Sequence, residues 1–264
     1  MLRTRLWTAL VGLPATLIII LFAPPQGFRW FIALLAAWGL YEIAEMSSVG
    51  GDETFVIALV GGTSAGVLLF AHVGSWPQLW ITAAIVVLAM LALVARVAND
   101  GADSMGRGLG LAFLGALWVG LLFPYFALLR DQAGGANLLI LMLLLVVASD
   151  SGAYFVGRKW GEKKLLPSVS PNKTVEGALG GLAACIAAGL ILRIPLAARW
   201  SWVSIVILSV LIGVLAQLGD LAGSAFKRVA GVKDSGWIFP GHGGLLDRTC
   251  SLLFAAALTY YYAR

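Results

Sequence analysis

The chain is built from long apolar stretches, each of which could cross a lipid bilayer as a helix. About 20 apolar residues span the hydrocarbon core of a bilayer. Hydrophobic residues make up 60% of the 264 positions and charged residues 12%, against roughly half and a quarter in soluble domains. We therefore predict an all-α, multi-pass integral membrane protein with no β-sheet, because open sheet edges cannot face lipid. Nine transmembrane segments are predicted, at residues 6–23, 28–45, 54–72, 77–95, 109–128, 136–155, 174–195, 202–222 and 246–263.

Lys and Arg are distributed unevenly over the connectors between these segments. The positive-inside rule then predicts a cytoplasmic N-terminus and a C-terminus on the outside. The two longest connectors, 156–173 and 223–245, both fall on the cytoplasmic side. The basic residues on that side are Arg3, Arg5, Arg96, Arg107, Arg158, Lys159, Lys163, Lys164, Lys173, Lys227, Arg228 and Lys233, against Arg29, Arg130, Arg193, Arg199 and Arg264 outside.

Composition and short motifs exclude several functional classes. The net charge of +5 is explained by this topology, so we expect no nucleic-acid partner. Neither a Walker A pattern nor a Rossmann glycine fingerprint occurs, which excludes the standard nucleotide-binding domains. Cys185 and Cys250 lie in apolar surroundings and indicate neither a disulfide framework nor a zinc site. Any nucleotide would therefore bind at the membrane surface itself.

The first long connector lies between two acids and is rich in basic residues. Asp150 is at the cytoplasmic end of one apolar segment, and Glu176 is just inside the next. The sequence SPNK, which contains Asn172 and Lys173, is predicted to turn into a helix capped by Thr174. An ordinary membrane-anchoring loop explains the basic residues. It does not explain two carboxylates at membrane depth, because such groups are costly and tend to mark sites or paired structure.

The second long connector combines acids, bases and glycines. Asp220 lies near the end of one apolar segment, and Asp247 and Arg248 begin the next helix. Between them FPGHGG (residues 239–244) is predicted to form a tight turn, whose glycines let backbone N–H groups approach an anion. A simple turn between helices explains the glycines equally well, and His242 alone is as consistent with a structural role as with a catalytic one. The polar side chains that follow Asp220 are Ser224, Lys227, Arg228 and Lys233.

Acids at the ends of three helices, facing two basic loops, predict phosphate chemistry. Two carboxylates and substrate phosphates together make a Mg²⁺ site, since this ion keeps few protein ligands and prefers phosphate oxygens. Lys and Arg would neutralise the remaining charge of a polyphosphate.

The two connectors resemble the signature stretches of the phosphatidate cytidylyltransferases, also called CDP-diacylglycerol synthases. The resemblance rests on SAFKRVAGVKDSGWIFPGHGGLLDR, residues 224–248, and on DSGAYFVGRKWGEKKLLPSVSPNKTVEG, residues 150–177. It implies transfer of a cytidylyl group from CTP to phosphatidate in phospholipid biosynthesis, giving CDP-diacylglycerol and pyrophosphate. The implied cofactor is Mg²⁺, with or without a second cation. The resemblance further implies a homodimeric enzyme of the cell (inner or plasma) membrane, surrounded by membrane lipids, with a cytoplasmic active site.

The resemblance also assigns roles along the chain. Residues 1–130 hold the N-terminal transmembrane helices, and residues 131–264 hold the catalytic helices with both cytoplasmic loops, in a single membrane-embedded unit. Asp220 and Asp247 resemble the metal-binding pair, and His242 belongs to the signature turn. Lys227 and Arg228 complete the expected catalytic set. Phosphate contacts are expected from Lys173, Ser224, Lys227, Arg228, Lys233 and Arg248, with support from Asp150, Asn172 and Glu176.

At two positions the chain departs from the pattern that it resembles. Gly223 stands where the family usually has Glu, and Cys250 stands where it usually has Asp. Both changes remove a carboxylate beside the expected metal pair. Asp220 and Asp247 therefore have fewer neighbouring acids than the family pattern provides.

Three alternatives stay open on the sequence. A transporter or flippase for an anionic lipid or solute would also use membrane-embedded acids and basic vestibules, but the polar residues here crowd one membrane face and not the midplane. A divergent membrane transferase that uses CTP or an isoprenoid phosphate with another acceptor needs the same residue types. An inactive relative is compatible with Gly223 and Cys250.

Overall fold

A computed structural model describes residues 12, 14–47, 106–238 and 243–264 of the chain. These residues are mostly helical, as predicted. Residues 14–22 are helical and precede the first of the helices numbered below. Two short strands, β1 (Lys164–Leu166) and β2 (Ser170–Thr174), interrupt the helices. The helices are α1 (Pro25–Ser47), α2 (Gly106–Leu122), α3 (Pro124–Arg130), α4 (Gly135–Trp160), α5 (Val175–Leu196), α6 (Trp202–Val229) and α7 (Leu246–Tyr262).

Several of these helices are suited to cross a membrane. Within the described residues, four helical stretches are long and apolar enough to do so: Gly110–Arg130, Gly135–Trp160, Val175–Leu196 and Trp202–Val229. The first of them runs through α2 and α3. Pro124 begins α3, because a proline lacks the N–H that would continue the hydrogen bonding of α2.

The predicted count of nine transmembrane helices is not confirmed. The segments 54–72 and 77–95 lie outside the described residues, as does the first part of 6–23. Helices α1 and α7 occupy the predicted segments 28–45 and 246–263, but neither is among the four stretches that meet the length and hydropathy requirement.

The connector between α4 and α5 forms a β-hairpin, so the prediction of no β-sheet is wrong. β1 and β2 pair antiparallel, with Lys164 opposite Thr174 and Leu166 opposite Ser170. SPNK therefore lies in a strand and not in the predicted turn. The hairpin follows the end of an apolar segment, where its residues are largely exposed. Strands of 3 and 5 residues are too short to show the alternation that identifies a strand in a sequence.

Two helix boundaries matter for the position of the polar residues. Helix α6 continues to Val229 and does not end at residue 222 as predicted, so Lys227 and Arg228 lie on a helix and not in a loop. Helix α5 begins where the sequence predicted. The hydroxyl oxygen of Thr174 accepts the backbone N–H of Gly177 at 3.1 Å, which makes Thr174 the N-cap of α5.

Small residues let the C-terminal helices pack closely. A Cβ atom on Gly181 of α5 would lie 2.7 Å from the carbonyl oxygen of Ser149 of α4. Helix α5 packs in turn on α6, and α6 packs on α7. The end of α4, the start of α5, the end of α6 and the start of α7 consequently meet at one end of the bundle, together with the hairpin.

The buried core joins α1 to the C-terminal helices. Helix α1 packs on α2 and α3, and α4 and α6 supply most of the remaining large apolar side chains. The largest fully buried side chains are Phe28, Leu40, Ile43, Phe123, Leu129, Leu138, Leu139, Leu141, Met142, Leu145, Ile205 and Leu208.

Candidate active site

Two lysine–aspartate ion pairs lie at the end of the bundle where the hairpin, α6 and α7 meet. The Nζ atom of Lys173, in β2, lies 2.6 Å from Oδ2 of Asp220 on α6. Lys227, further along α6, forms a second pair with Oδ1 of Asp247 in the first turn of α7. The fold thus brings together both predicted metal-binding acids and two of the predicted phosphate-binding lysines.

Asp247 is held in place by the loop that precedes α7. Its Oδ2 atom accepts the backbone N–H groups of Ser235 at 2.8 Å and of Gly244 at 3.0 Å. Gly243 has a φ of +82°, a left-handed conformation that glycine adopts without strain, and it turns the chain into α7. Two backbone donors of the loop before α7, one of them Gly244 of the glycine-rich turn, therefore point at a carboxylate of the protein itself.

Helices α6 and α7 are in close contact at the two positions where the chain departs from the pattern it resembles. A Cβ atom on Gly223 would lie 3.0 Å from Cβ of Cys250 and 3.1 Å from its Sγ. The charged groups of Asp220, Lys227 and Asp247 lie near the Cys250 thiol. The two departures therefore face each other between the two ion pairs, and a larger side chain at position 223 would displace Cys250.

Asp150 and Arg248 lie near the Lys173–Asp220 pair. Electrostatic interactions connect Asp150 of α4 with Asp220, Lys173 and Arg248. Neighbouring carboxylates repel each other unless positive charge separates them. Here a lysine from the hairpin and an arginine from α7 supply that charge.

Glu176 and Arg228 hold the hairpin against the helices. The Glu176 carboxylate accepts the backbone N–H groups of Glu162 at 3.1 Å and of Lys163 at 3.2 Å. Arg228 donates from Nε to the carbonyl oxygen of Val169 at 3.3 Å. The two backbone donors explain how the carboxylate of Glu176 can lie at membrane depth, since it is hydrogen-bonded there. Arg228 has a structural partner in Val169, in addition to its predicted role in binding phosphate.

The other predicted site residues are at least partly exposed or lie beyond the residues that the structure describes. Ser224 is half-buried on α6, one turn after Asp220, whereas Asn172 and Lys233 are exposed. His242 lies outside the described residues, so its role stays a prediction.

The structure adds an acid that the sequence did not single out, Glu42 of α1. The residue is only 1% exposed. Oε1 accepts the backbone N–H of Leu245 at 2.6 Å and the indole N–H of Trp38 at 3.1 Å. Oε2 accepts the hydroxyl of Ser235 at 2.7 Å and the backbone N–H of Leu246 at 2.9 Å. Glu42 therefore connects α1 to the loop and helix that position Asp247.

A sequence signal for Glu42 did exist. The residue falls inside the predicted segment 28–45, where a carboxylate is costly unless it has partners. Glu45 lies in the same segment and has the same signal. It is nevertheless exposed and accepts the hydroxyl of Tyr41 at 2.7 Å. The two acids differ only in which face of α1 they occupy, and the sequence does not tell which face meets α7.

A small pocket lies beside the Lys227–Asp247 pair. One side of it is apolar and the other carries the charged pair. The indole N–H of Trp118 is buried there without a hydrogen-bond partner among the described residues. The pocket is lined by Met46, Trp118, Gly223, Phe226, Lys227, Ser235, Leu246, Asp247 and Cys250.

Comparison with known proteins gives matches over nearly the whole chain. A model of the cytidylyltransferase family matches residues 3–264. The phosphatidate cytidylyltransferase of Brucella suis is 34% identical over 268 residues, which cover 99% of this chain and 93% of that protein. The protein of the same name from Staphylococcus epidermidis is 31% identical over 261 residues, 97% of each chain. The one from Bacillus subtilis is 39% identical over 153 residues, 58% of this chain and 57% of that protein.

Proposed function

The chain belongs to the cytidylyltransferase family, and we propose that it transfers the cytidylyl group of CTP to phosphatidate, giving CDP-diacylglycerol and pyrophosphate. The observation that carries this proposal is the convergence of the Lys173–Asp220 and Lys227–Asp247 pairs at one end of an apolar helical bundle. Relatives named phosphatidate cytidylyltransferase align with nearly the whole chain. Both observations favour a membrane nucleotidyltransferase over a transporter.

The chemistry of the proposed reaction needs cationic charge more than a strong base. The second pKa of a phosphate monoester is about 6, so phosphatidate is already largely ionised near neutral pH and needs no general base of the Ser–His kind. The site must hold two anions next to each other and stabilise the charge that develops as pyrophosphate leaves. Lys173, Lys227 and Arg248 are the cationic groups that the structure gathers for this task.

The ion pairs give these lysines defined positions. Each lysine faces an aspartate, which holds the ammonium group in place before any phosphate arrives. We propose that oxygens of the CTP triphosphate and of the phosphatidate headgroup then share these ammonium groups.

The carboxylates of the site fit a Mg²⁺ site that substrate completes. Among the described residues, no three His, Cys, Asp or Glu side chains form a metal site by themselves. One or two carboxylates with phosphate oxygens are sufficient for Mg²⁺. We propose Asp220 and Asp247 as its ligands, with Asp150 beside Asp220. When bound, the ion would supply positive charge to the phosphates.

We propose that the site faces the cytoplasm, and cysteine labelling in intact cells tests this orientation. Lys164 and Trp237 are exposed on the site side, and Ala198 is exposed on the connector at the opposite end of the bundle. An impermeant external reagent is expected to label Ala198→Cys and to leave Lys164→Cys and Trp237→Cys unlabelled. Both native cysteines are buried, which keeps the background low. External labelling at both site positions would contradict the orientation.

The activity itself is tested by release of pyrophosphate from purified protein in detergent. We expect release only when CTP, phosphatidate and Mg²⁺ are all present. Release that does not depend on phosphatidate would contradict the proposed acceptor, and none under any condition would favour the inactive relative. The second cation and the homodimer remain predictions of the resemblance. Metal titration and the mass of the solubilised protein test them.

A further inference from the structure

We propose that Glu42 is a positioning residue of this site, which acts on Asp247 through Ser235 and through the start of α7. The inference rests on the proposed function, because the turnover that it concerns is that of cytidylyl transfer. Glu42 lies on α1, outside both stretches on which the family resemblance depends.

The first step of the argument is the way in which α7 begins. The first N–H groups of a helix have no partners within it, and the residue at the N-cap of α7, Leu245, provides no side-chain cap. Glu42 supplies the missing acceptors from another helix, at 2.6 Å to the N–H of Leu245 and 2.9 Å to that of Leu246. A negative charge is also favoured at a helix N-terminus. Glu42 therefore fixes where α7 starts, and Asp247 is the next residue.

The second step is a connection from Glu42 to Asp247 through Ser235, which is buried and only 4% exposed. Its hydroxyl donates to Oε2 of Glu42 at 2.7 Å, and its backbone N–H donates to Oδ2 of Asp247 at 2.8 Å. The other oxygen of Asp247 holds Lys227. A displacement of Glu42 would therefore move the group that orients Asp247, and with it the lysine.

The third step concerns two glycines that flank the turn. A Cβ atom on Gly236 would lie 2.9 Å from Oε1 of Glu42, and one on Gly244 would lie 2.5 Å from Oε2. Both distances are too short for an ordinary contact, so a side chain at either position would displace the Glu42 carboxylate from its donors. Gly236 and Gly244 thus leave room for the Glu42 carboxylate.

The role is one of positioning and not of catalysis. Four donors from Trp38, Ser235, Leu245 and Leu246 surround the carboxylate, and the residue is 1% exposed. Such enclosure leaves no access for a substrate phosphate. The effect on the reaction must therefore pass through Asp247 and Lys227.

The test compares Glu42→Gln with Glu45→Gln, a matched change on the exposed face of the same helix. The glutamine keeps the shape of the side chain but replaces one acceptor oxygen with an N–H₂ donor. We expect Glu42→Gln to lower kcat by at least about tenfold with the KM for CTP within about threefold of wild type. Glu45→Gln should retain wild-type kinetics. An unchanged kcat in Glu42→Gln, or an equal loss in Glu45→Gln, would overturn the proposal.

A double-mutant cycle with Ser235→Ala tests the route. If Glu42 acts through Ser235, the double variant should lose no more than about twofold beyond the larger single loss. Fully additive losses would mean that the two residues act independently, and the proposed route would be wrong. Ser235→Ala leaves both backbone donors of Glu42 in place, so it also provides the test if Glu42→Gln does not fold.

Hydrogen exchange provides a measurement that does not depend on activity. The amides of Leu245 and Leu246 should exchange faster in Glu42→Gln and at the wild-type rate in Glu45→Gln. Unchanged exchange in Glu42→Gln would show that Glu42 does not hold the start of α7. A wild-type protein without transferase activity would overturn the proposed function and the role in turnover, whereas the exchange rates would still decide the structural link.

Discussion

The two lysine–aspartate pairs of the site use the same chemistry in different surroundings. The side chains of Lys173 and Asp220 are 26% and 40% exposed, and those of Lys227 and Asp247 are 17% and 6% exposed. An exposed pair contributes little to stability, whereas loss of one partner from a buried pair leaves a charge without compensation. We infer that the first pair serves mainly the substrate, and that the second also holds the fold together.

The largest effect is expected for Asp247→Asn. This change should nearly abolish transfer and lower the free energy of unfolding by about 3–5 kcal/mol, because it leaves Lys227 buried without its partner. Pyrophosphate release and thermal unfolding in detergent measure the two losses. The matched control is Asp131→Asn, which breaks an exposed pair with Arg29 and should retain activity. If Asp247→Asn unfolds with the same free energy as wild type, the Lys227–Asp247 pair does not hold the fold together, and the inferred difference between the two pairs is wrong.

Asp220→Asn should separate activity from stability. We expect nearly complete loss of Mg²⁺-dependent transfer, with a smaller loss of unfolding free energy than in Asp247→Asn. The Asp220 side chain is 40% exposed, which weakens the pair, although the Nζ atom of Lys173 is itself buried. The same two measurements apply. Near-normal Mg²⁺-dependent activity would contradict Asp220 as a metal ligand, and a stability loss as large as that of Asp247→Asn would contradict the comparison.

Lys227→Ala should have an intermediate effect on turnover. Loss of one charge-assisted phosphate contact would raise the barrier by about 1.5–3 kcal/mol, measured as a fall in kcat/KM. Arg228→Ala should lose less, because Arg228 is exposed and already donates to the carbonyl of Val169. Normal membrane insertion of both variants is the control. Wild-type kinetics in both variants would mean that Lys227 and Arg228 only anchor the helix end at the membrane surface.

The smallest effects are expected for the two helix caps. Thr174 caps α5 beside the site, and Ser201 caps α6 at the opposite end of the bundle, accepting the N–H of Ser204 at 3.0 Å. Alanine at either position should lower the free energy of unfolding by about 1 kcal/mol. Only Thr174→Ala should also lower turnover, by less than about threefold, because Lys173 precedes it. Equal turnover in the two variants would show that the hairpin does not position Lys173.

Much of the site could be predicted from the sequence because its residue types are rare in so apolar a chain. Asp220, Lys227 and Asp247 stand out against long hydrophobic segments, and the structure places all three at one end of the bundle. The boundary of α6 could not be predicted in the same way. Hydropathy marks where a segment leaves the lipid, and α6 stays helical beyond that point to Val229. The hairpin was missed because its strands are too short to show a pattern.

The sequence by itself determined the class of protein, the polar end of the bundle and the residues that gather there, since these depend on composition and local order along the chain. Only the tertiary structure decided which lysine pairs with which aspartate, and that Glu42 is buried while Glu45 is exposed. Residues far apart in the sequence meet through the packing of α1, α6 and α7. Such contacts depend on which face each helix presents to its neighbours, because every buried carboxylate must find its donors at that face.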